Sequence, residues 1–165
     1  MPWYWPALSR RGIKVYEEKI TSIIEDPAQE FDIVVRITRE EDIAVARQMA
    51  KQLAQEIGFS LADVTRIATA VSELARNIYR YARQGRIMIR KRLEDRDSPG
   101  IEVIAADRGP GIPDIELVLT RGYTTWERSL GIGLSGVKRL MDSFAIHSEV
   151  GKGTVVITEK RRRAF

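Results

Sequence analysis

The sequence predicts an α+β fold, a two-layer α/β sandwich in which a mixed or antiparallel sheet carries helices on one face. Three observations predict it. Strand-like runs arrive in consecutive pairs joined by turns, which favours hairpins over alternating β-α units. Two amphipathic helical stretches follow the first strand back to back. The 165 residues, 44% hydrophobic and 30% charged, suffice for one compact domain with a real core.

Residues 1–30 read as an extension. Within them "VYEEKITSIIEDP" has a short helical pattern closed by Pro27, and Trp3, Tyr4 and Trp5 stand near the start. "FDIVVRI" (31–37) is a strand. "TREE" then offers a capping box, Thr38 with Glu41 three residues on. A helix follows with Ile43, Ala46, Ala50, Leu53 and Ile57 at helical spacing, closed by Gly58. Ser60 with Asp63 opens a second helix that stops at Gly85. Its buried stripe is Ile67, Val71, Leu74, Ile78 and Tyr81. "RIMIRKRLE" (86–94) and "IEVIAAD" (101–107) are strands around the turn "DRDSPG". A glycine-proline loop, "RGPGIPD", leads to a short helix, "IELVLT". A polar loop then reaches a helix ending near Met141, and two strands, near 144–149 and 153–160, flank "VGKG". Residues 31–160 thus form the domain, and 161–165 a basic tail.

Composition excludes several chemistries. No cysteine is present, so disulfides and thiolate catalysis are out, and a reducing cytoplasm is the expected location. No apolar run reaches the length of a membrane span, so no membrane partner is expected. The formal charge of +4 is mild and partly terminal, so nucleic acid is not an expected partner either. The single histidine, His147, sits in a strand and reads as structural.

The stretch "GIGLSG" (131–136) matches G-x-G-x-x-G, a pattern that chance supplies in about one chain in twenty of this length. No strand precedes it, as a dinucleotide fold requires. Residue 137 is Val, so it is no P-loop. Two readings stay open: glycines that bring helix N–H groups to an anion, or a tight turn into a helix.

Two further stretches bear on the choice. In "SELARNIYRYA", Glu73 and Asn77 stand one turn apart, about 80–120° from the stripe's centre, at the margin of core and solvent. A carboxylate and an amide there can share a metal-bound water, or simply bond each other on the helix surface. In "IEVIAADRGPGI", an apolar strand ends in Asp107 beside Gly109 and Gly111. Such a carboxylate can accept a hydrogen bond from an exocyclic amine such as that of adenine, and D-x-G is also common in turns.

"ELARN", "DRGPGI", "GIGLSG" and "GKGT" occur in that order. Together they resemble the N box, the two glycine boxes and the closing G-T of the GHKL ATPase superfamily, whose Bergerat fold serves histidine kinases, gyrase, Hsp90, MutL and anti-sigma kinases. "VSELARNIY", "DRGPGI" and "GVKRLMD" look most like the RsbT-type switch serine/threonine kinases of bacterial stressosomes. The resemblance implies ATP and Mg2+ as cofactors. It makes Glu73 the general base and Asn77 the Mg2+ ligand. Asp107, with Thr154 behind it, receives the adenine amine. Gly109, Gly111 and Ile112 build the nucleotide wall, and Gly131, Ile132, Gly133, Leu134 and Gly136 hold phosphate. Residues 120–130 become the lid over ATP, with Arg128 as a cation for the γ-phosphate, whereas Lys138 is expected to serve a surface or partner. The implied partners are STAS-domain scaffold and antagonist proteins as substrates and a PP2C-type phosphatase activated on release, with a homodimer admitted. An anti-sigma factor kinase and a non-catalytic ATP-dependent binding module are the competing readings.

Overall fold

A computed structural model describes residues 31–120 and 133–163. Residues 1–30 and 121–132, with Arg128, Gly131 and Ile132 and most of the lid expected at 120–130, lie outside the described residues.

Strand β1 (Ile33–Ile37) leads into α1 (Glu41–Ile57) and α2 (Leu61–Asn77). The expected capping box is replaced at α1. Asp42 serves instead, accepting from the Thr38 and Arg39 N–H groups at 3.0 and 2.9 Å and from the Thr38 hydroxyl at 3.2 Å. A first-turn acid also meets the positive end of the helix dipole. These bonds hold its carboxyl below the usual carboxylate range. Gly58 closes α1 at φ 90°, and Ser60 caps α2 by accepting from the Asp63 N–H at 3.2 Å.

After Asn77 the chain makes a π-helical turn, Ile78–Ala82, ending at Arg83 with φ 68°. The wider turn breaks the 3.6-residue phase. Ile67, Val71, Leu74 and Ile78 are buried as expected, but Tyr81 leaves the stripe and is 40% exposed. Strands β2 (Gly85–Arg92) and β3 (Gly100–Asp107) form a hairpin. Helices α3 (Ile115–Thr120) and α4 (Gly133–Leu140) come next, then β4 (Ser143–Glu149) and β5 (Gly153–Arg161).

The sheet order is β1-β2-β3-β5-β4, and every pairing is antiparallel. Of the two sheet types anticipated, the mixed one is not realised. Strand β4 runs parallel to β3, but β5 lies between them, and β5 is antiparallel to both. The helices cover one face. Val35, Ile87, Ile89, Val103, Ala105, Ile146 and Val156 point into the core with Leu53, Ile67, Val71, Leu74 and Val137 of the helices. The basic C-terminus is tied into the fold. The Arg162 guanidinium donates to the Ile57 carbonyl at 3.1 Å, and the Arg161 N–H to Asp142 at 2.7 Å.

Candidate active site

The sheet pairing builds the site first. Asp107, the last residue of β3, sits directly opposite Thr154 of β5. These residues are remote in sequence and adjacent only through the register. The Asp107 carboxylate accepts from the Gly109 N–H at 2.8 Å. Burial pushes its pKa up, against the backbone hydrogen bonds from Gly109 and Thr154, which pull it down. Gly153 makes the close approach possible, because a Cβ there would lie 2.1 Å from the Asp107 carbonyl oxygen.

The loop after Asp107 is pinned from below by Ser148. Its hydroxyl accepts from the Ile112 N–H at 2.7 Å, donates to the Gly153 carbonyl at 3.1 Å and stands 2.8 Å from the Thr154 hydroxyl. Gly111 holds φ 76°, and a Cβ on it would come within 2.4 Å of the Glu149 carbonyl oxygen. Only glycine fits there.

A cavity of about 330 Å³ opens beside this loop, between α2, α3 and the end of the sheet. Asn77, Asp107, Gly111, Ile112, Leu134 and Thr154 line it, with Gly133 at the start of α4. Its apolar wall comes from Leu74, Ile78, Leu117 and Val118. Tyr81, turned out by the π-helical turn, also faces it. The Asn77 side chain makes no hydrogen bond among the described residues, so its amide oxygen remains available to a hard cation. Of the remaining predicted residues, Gly109 supports Asp107 without lining the cavity, and Gly136 is buried within α4.

Glu73 departs from the sequence expectation. It is 6% exposed rather than marginal, because α4 packs on α2 above it. One oxygen pairs with Arg76, one turn on, and the other accepts from the Gly133 N–H at 3.4 Å. The carboxylate therefore touches the N-terminus of α4, the end of a helix suited to anions. Sequence reasoning missed Arg76 and Ser148. Arg76 sits at i+3 from Glu73 and was legible as a helix neighbour. Ser148 carries no local signal, since its partners come from three separate segments.

The donor set is coherent. One end of the cavity offers a carboxylate and a hydroxyl to a donor-bearing ring, and the middle is apolar. The cavity also presents the Asn77 amide and Gly133 at a helix N-terminus, whose N–H is hydrogen-bonded to the buried Glu73 carboxylate. Among the described residues there is no cluster of three or more His, Cys, Asp or Glu that would hold a metal alone. A cation here would share Asn77 with ligand oxygens and water, as Mg2+ does.

Comparison with known proteins identifies the family. The histidine kinase-like ATPase domain profile matches residues 38–160. The chain is 52% identical over 122 residues to the serine/threonine-protein kinase RsbT of Bacillus subtilis, covering 74% of this chain and 90% of that protein. It is 33% identical over 130 residues to the anti-sigma F factor of Pasteuria penetrans, covering 75% and 85%. The solved RsbU and RsbW domains of a Mycobacterium tuberculosis protein share the fold at TM-score 0.51 and 16% identity, over 98% of this chain and 51% of that one. The match spans the cavity, both carboxylates and the glycine stretches, and the chain belongs to the histidine kinase-like ATPase domain family.

Proposed function

We propose that this protein is a serine/threonine protein kinase that transfers the γ-phosphoryl group of Mg-ATP to STAS-domain scaffold and antagonist proteins, and that once released it binds and activates a PP2C-type phosphatase. One observation carries the reading. A buried carboxylate, Glu73, accepts from the N–H of Gly133, and Gly133 lines a cavity that also presents Asn77, Asp107 and Thr154. The 52% identity to RsbT supports the acceptor chemistry.

In this reading Asp107 accepts from the adenine amine, and Thr154 backs it across the strand pair. The apolar wall takes the ring faces. Gly131, Ile132, Gly133, Leu134 and Gly136 are assigned to the phosphates. Asn77 would hold Mg2+ together with phosphate oxygens, and the ion would supply neutralisation of phosphate charge. Glu73 takes the proton from the acceptor hydroxyl. The hydroxyl oxygen then bonds to the γ-phosphorus as the bond to the bridging oxygen breaks, and ADP leaves. Arg76 orients the Glu73 carboxylate. Arg128 is assigned to the γ-phosphate.

Intact-mass analysis of a STAS-domain protein mixed with the chain and Mg-ATP tests this. A phosphoryl gain that disappears in Glu73→Gln, with ATP still bound, is the expected result. ATP binding without any gain overturns the kinase reading. The identity to anti-sigma F factors favours one alternative, a kinase that also holds a sigma factor. Co-purification with a sigma factor in the presence of ATP would select it.

A further inference from the structure

Strand β1 is an edge of the sheet and pairs with β2 alone. Two hydrogen bonds show which of its backbone groups face outward. The Lys91 N–H donates to Asp32 Oδ2 at 2.7 Å, so the odd residues of β2 turn their backbone toward β1. The Arg162 N–H donates to the Pro99 carbonyl at 2.8 Å, which turns the odd residues of β3 toward β5 and fixes the same phase across the hairpin. Ile33, Val35 and Ile37 therefore bond to β2. The N–H and C=O groups of Asp32, Val34 and Arg36 point away from it, and none bonds to another backbone group among the described residues. Edge strands are commonly blunted by proline, lysine or a bulge. The run "IVVRI" has none of these, and its pairing with β2 is unbroken from Ile33 to Ile37.

Charge selects the occupant. Two copies of β1 can pair antiparallel about a two-fold axis if outward residues face outward residues. Centred on Asp32 or on Arg36, the pairing sets like charges face to face. Centred on Ile33 or Val35, it sets a charge against Val34. Centred on Val34, it sets Asp32 opposite Arg36 of the second copy on both sides of the axis, with Val34 opposite Val34. Asp32, Val34 and Arg36 are all exposed, and Arg36 makes no ion pair among the described residues.

We propose that this protein forms a homodimer through β1, antiparallel about Val34, so that two five-stranded sheets join as one. About six backbone hydrogen bonds close the seam. Helix α1 extends it. Val45, Met49 and Glu56 lie within about 40° of one another around that helix. Glu56 pairs with Lys91 of β2 at 3.3 Å, level with Phe31. Met49 comes seven residues earlier, about 10 Å along the helix, which is also the rise from Phe31 to Val34. Val45 and Met49, 47% and 37% exposed, thus stand beside the axis and meet the second copy there. No residue of β1 or α1 lines the nucleotide cavity, so both cavities stay open in the dimer.

Sedimentation equilibrium of the full chain tests this, with two charge variants. In Asp32→Arg an arginine faces Arg36 of the second copy, and in Arg36→Asp an aspartate faces Asp32. Each variant alone should dissociate at least about tenfold more readily than wild type. An equimolar mixture of the two should recover the dimer, because every facing pair is then opposite in charge. A cross-link gives a second readout that needs neither variant. The sequence has no cysteine, so Val34→Cys supplies one thiol per chain. Facing Cα atoms in a hydrogen-bonded pair lie about 5.5 Å apart, within disulfide reach. Oxidation should link Val34→Cys quickly and Leu61→Cys slowly, although Leu61 is 78% exposed. A wild-type mass of one chain at every concentration overturns the proposal. So does a dimer that neither charge variant weakens, a mixture of folded variants that stays dissociated, or equal cross-linking at positions 34 and 61.

Discussion

Replacing Asp107 by Asn separates nucleotide recognition from stability. The substitution keeps size and shape, and the Asn oxygen can still accept from the Gly109 N–H now bonded at 2.8 Å. What changes is the rest of the head group, where an acceptor becomes an NH2 donor facing the cavity. An incoming adenine amine then meets a donor. Hydrogen bonds to a charged group contribute about 1.5–3 kcal/mol, so ATP affinity should fall by about 10- to 150-fold. Inosine triphosphate, which carries an acceptor at that ring position, should bind the variant better than it binds the wild type. Stability should move the other way. Burial raises the Asp107 pKa in the folded chain, so the folded state holds this proton more tightly than the unfolded one. The carboxyl's stabilising contribution is complete below the ordinary Asp pKa and is lost as pH rises through the raised value. At neutral pH the charged form is a burden that Asn removes, so the Tm of the nucleotide-free variant should equal or exceed wild type. Titration calorimetry with both nucleotides and thermal melts across pH 4–8 would measure all of this. An unchanged preference for ATP over inosine triphosphate would refute the adenine role of Asp107.

Four other outcomes follow from the same geometry. Glu73→Gln should abolish phosphoryl transfer while ATP affinity stays within a few-fold, as read by single-turnover assay and calorimetry. Gly111→Ala must hold φ 76° with a Cβ 2.4 Å from the Glu149 carbonyl, so it should lose at least about 1–2 kcal/mol, seen as a Tm drop of roughly 2–8 °C. Ser148→Ala leaves the Ile112 N–H and the Gly153 carbonyl without their partner, at about 1–3 kcal/mol by denaturant titration, and weakens nucleotide binding through the loop it holds. Asp42→Ala removes the acceptor for the Thr38 and Arg39 N–H groups at α1 and should cost about 1 kcal/mol near neutral pH. Because that carboxyl is held below its ordinary range, its contribution is present above the ordinary pKa and fades as pH falls through the lowered one. The gap between variant and wild type should therefore narrow in acid.

Local chemistry alone determined most elements of this chain. Period-two runs marked the strands, the stripe from Ile67 to Ile78 marked α2, and Gly58 and Ser60 marked a helix end and a helix start. The ordered glycine motifs were sufficient to indicate the family, because each motif serves a backbone or ligand requirement that few residues meet. Tertiary structure decided what depends on groups far apart in sequence. It placed Thr154 against Asp107 through strand register and set β5 between β3 and β4, which made the sheet antiparallel throughout. It buried Glu73 under α4, although the helical phase of α2 alone had left that carboxylate at the margin. It turned Tyr81 out of the core at a π-helical turn whose i to i+5 bonding no residue pattern announces. The physical reason is the same in each case: propensity and periodicity act within one turn or one strand, while burial and register are set by whatever else arrives at the same place.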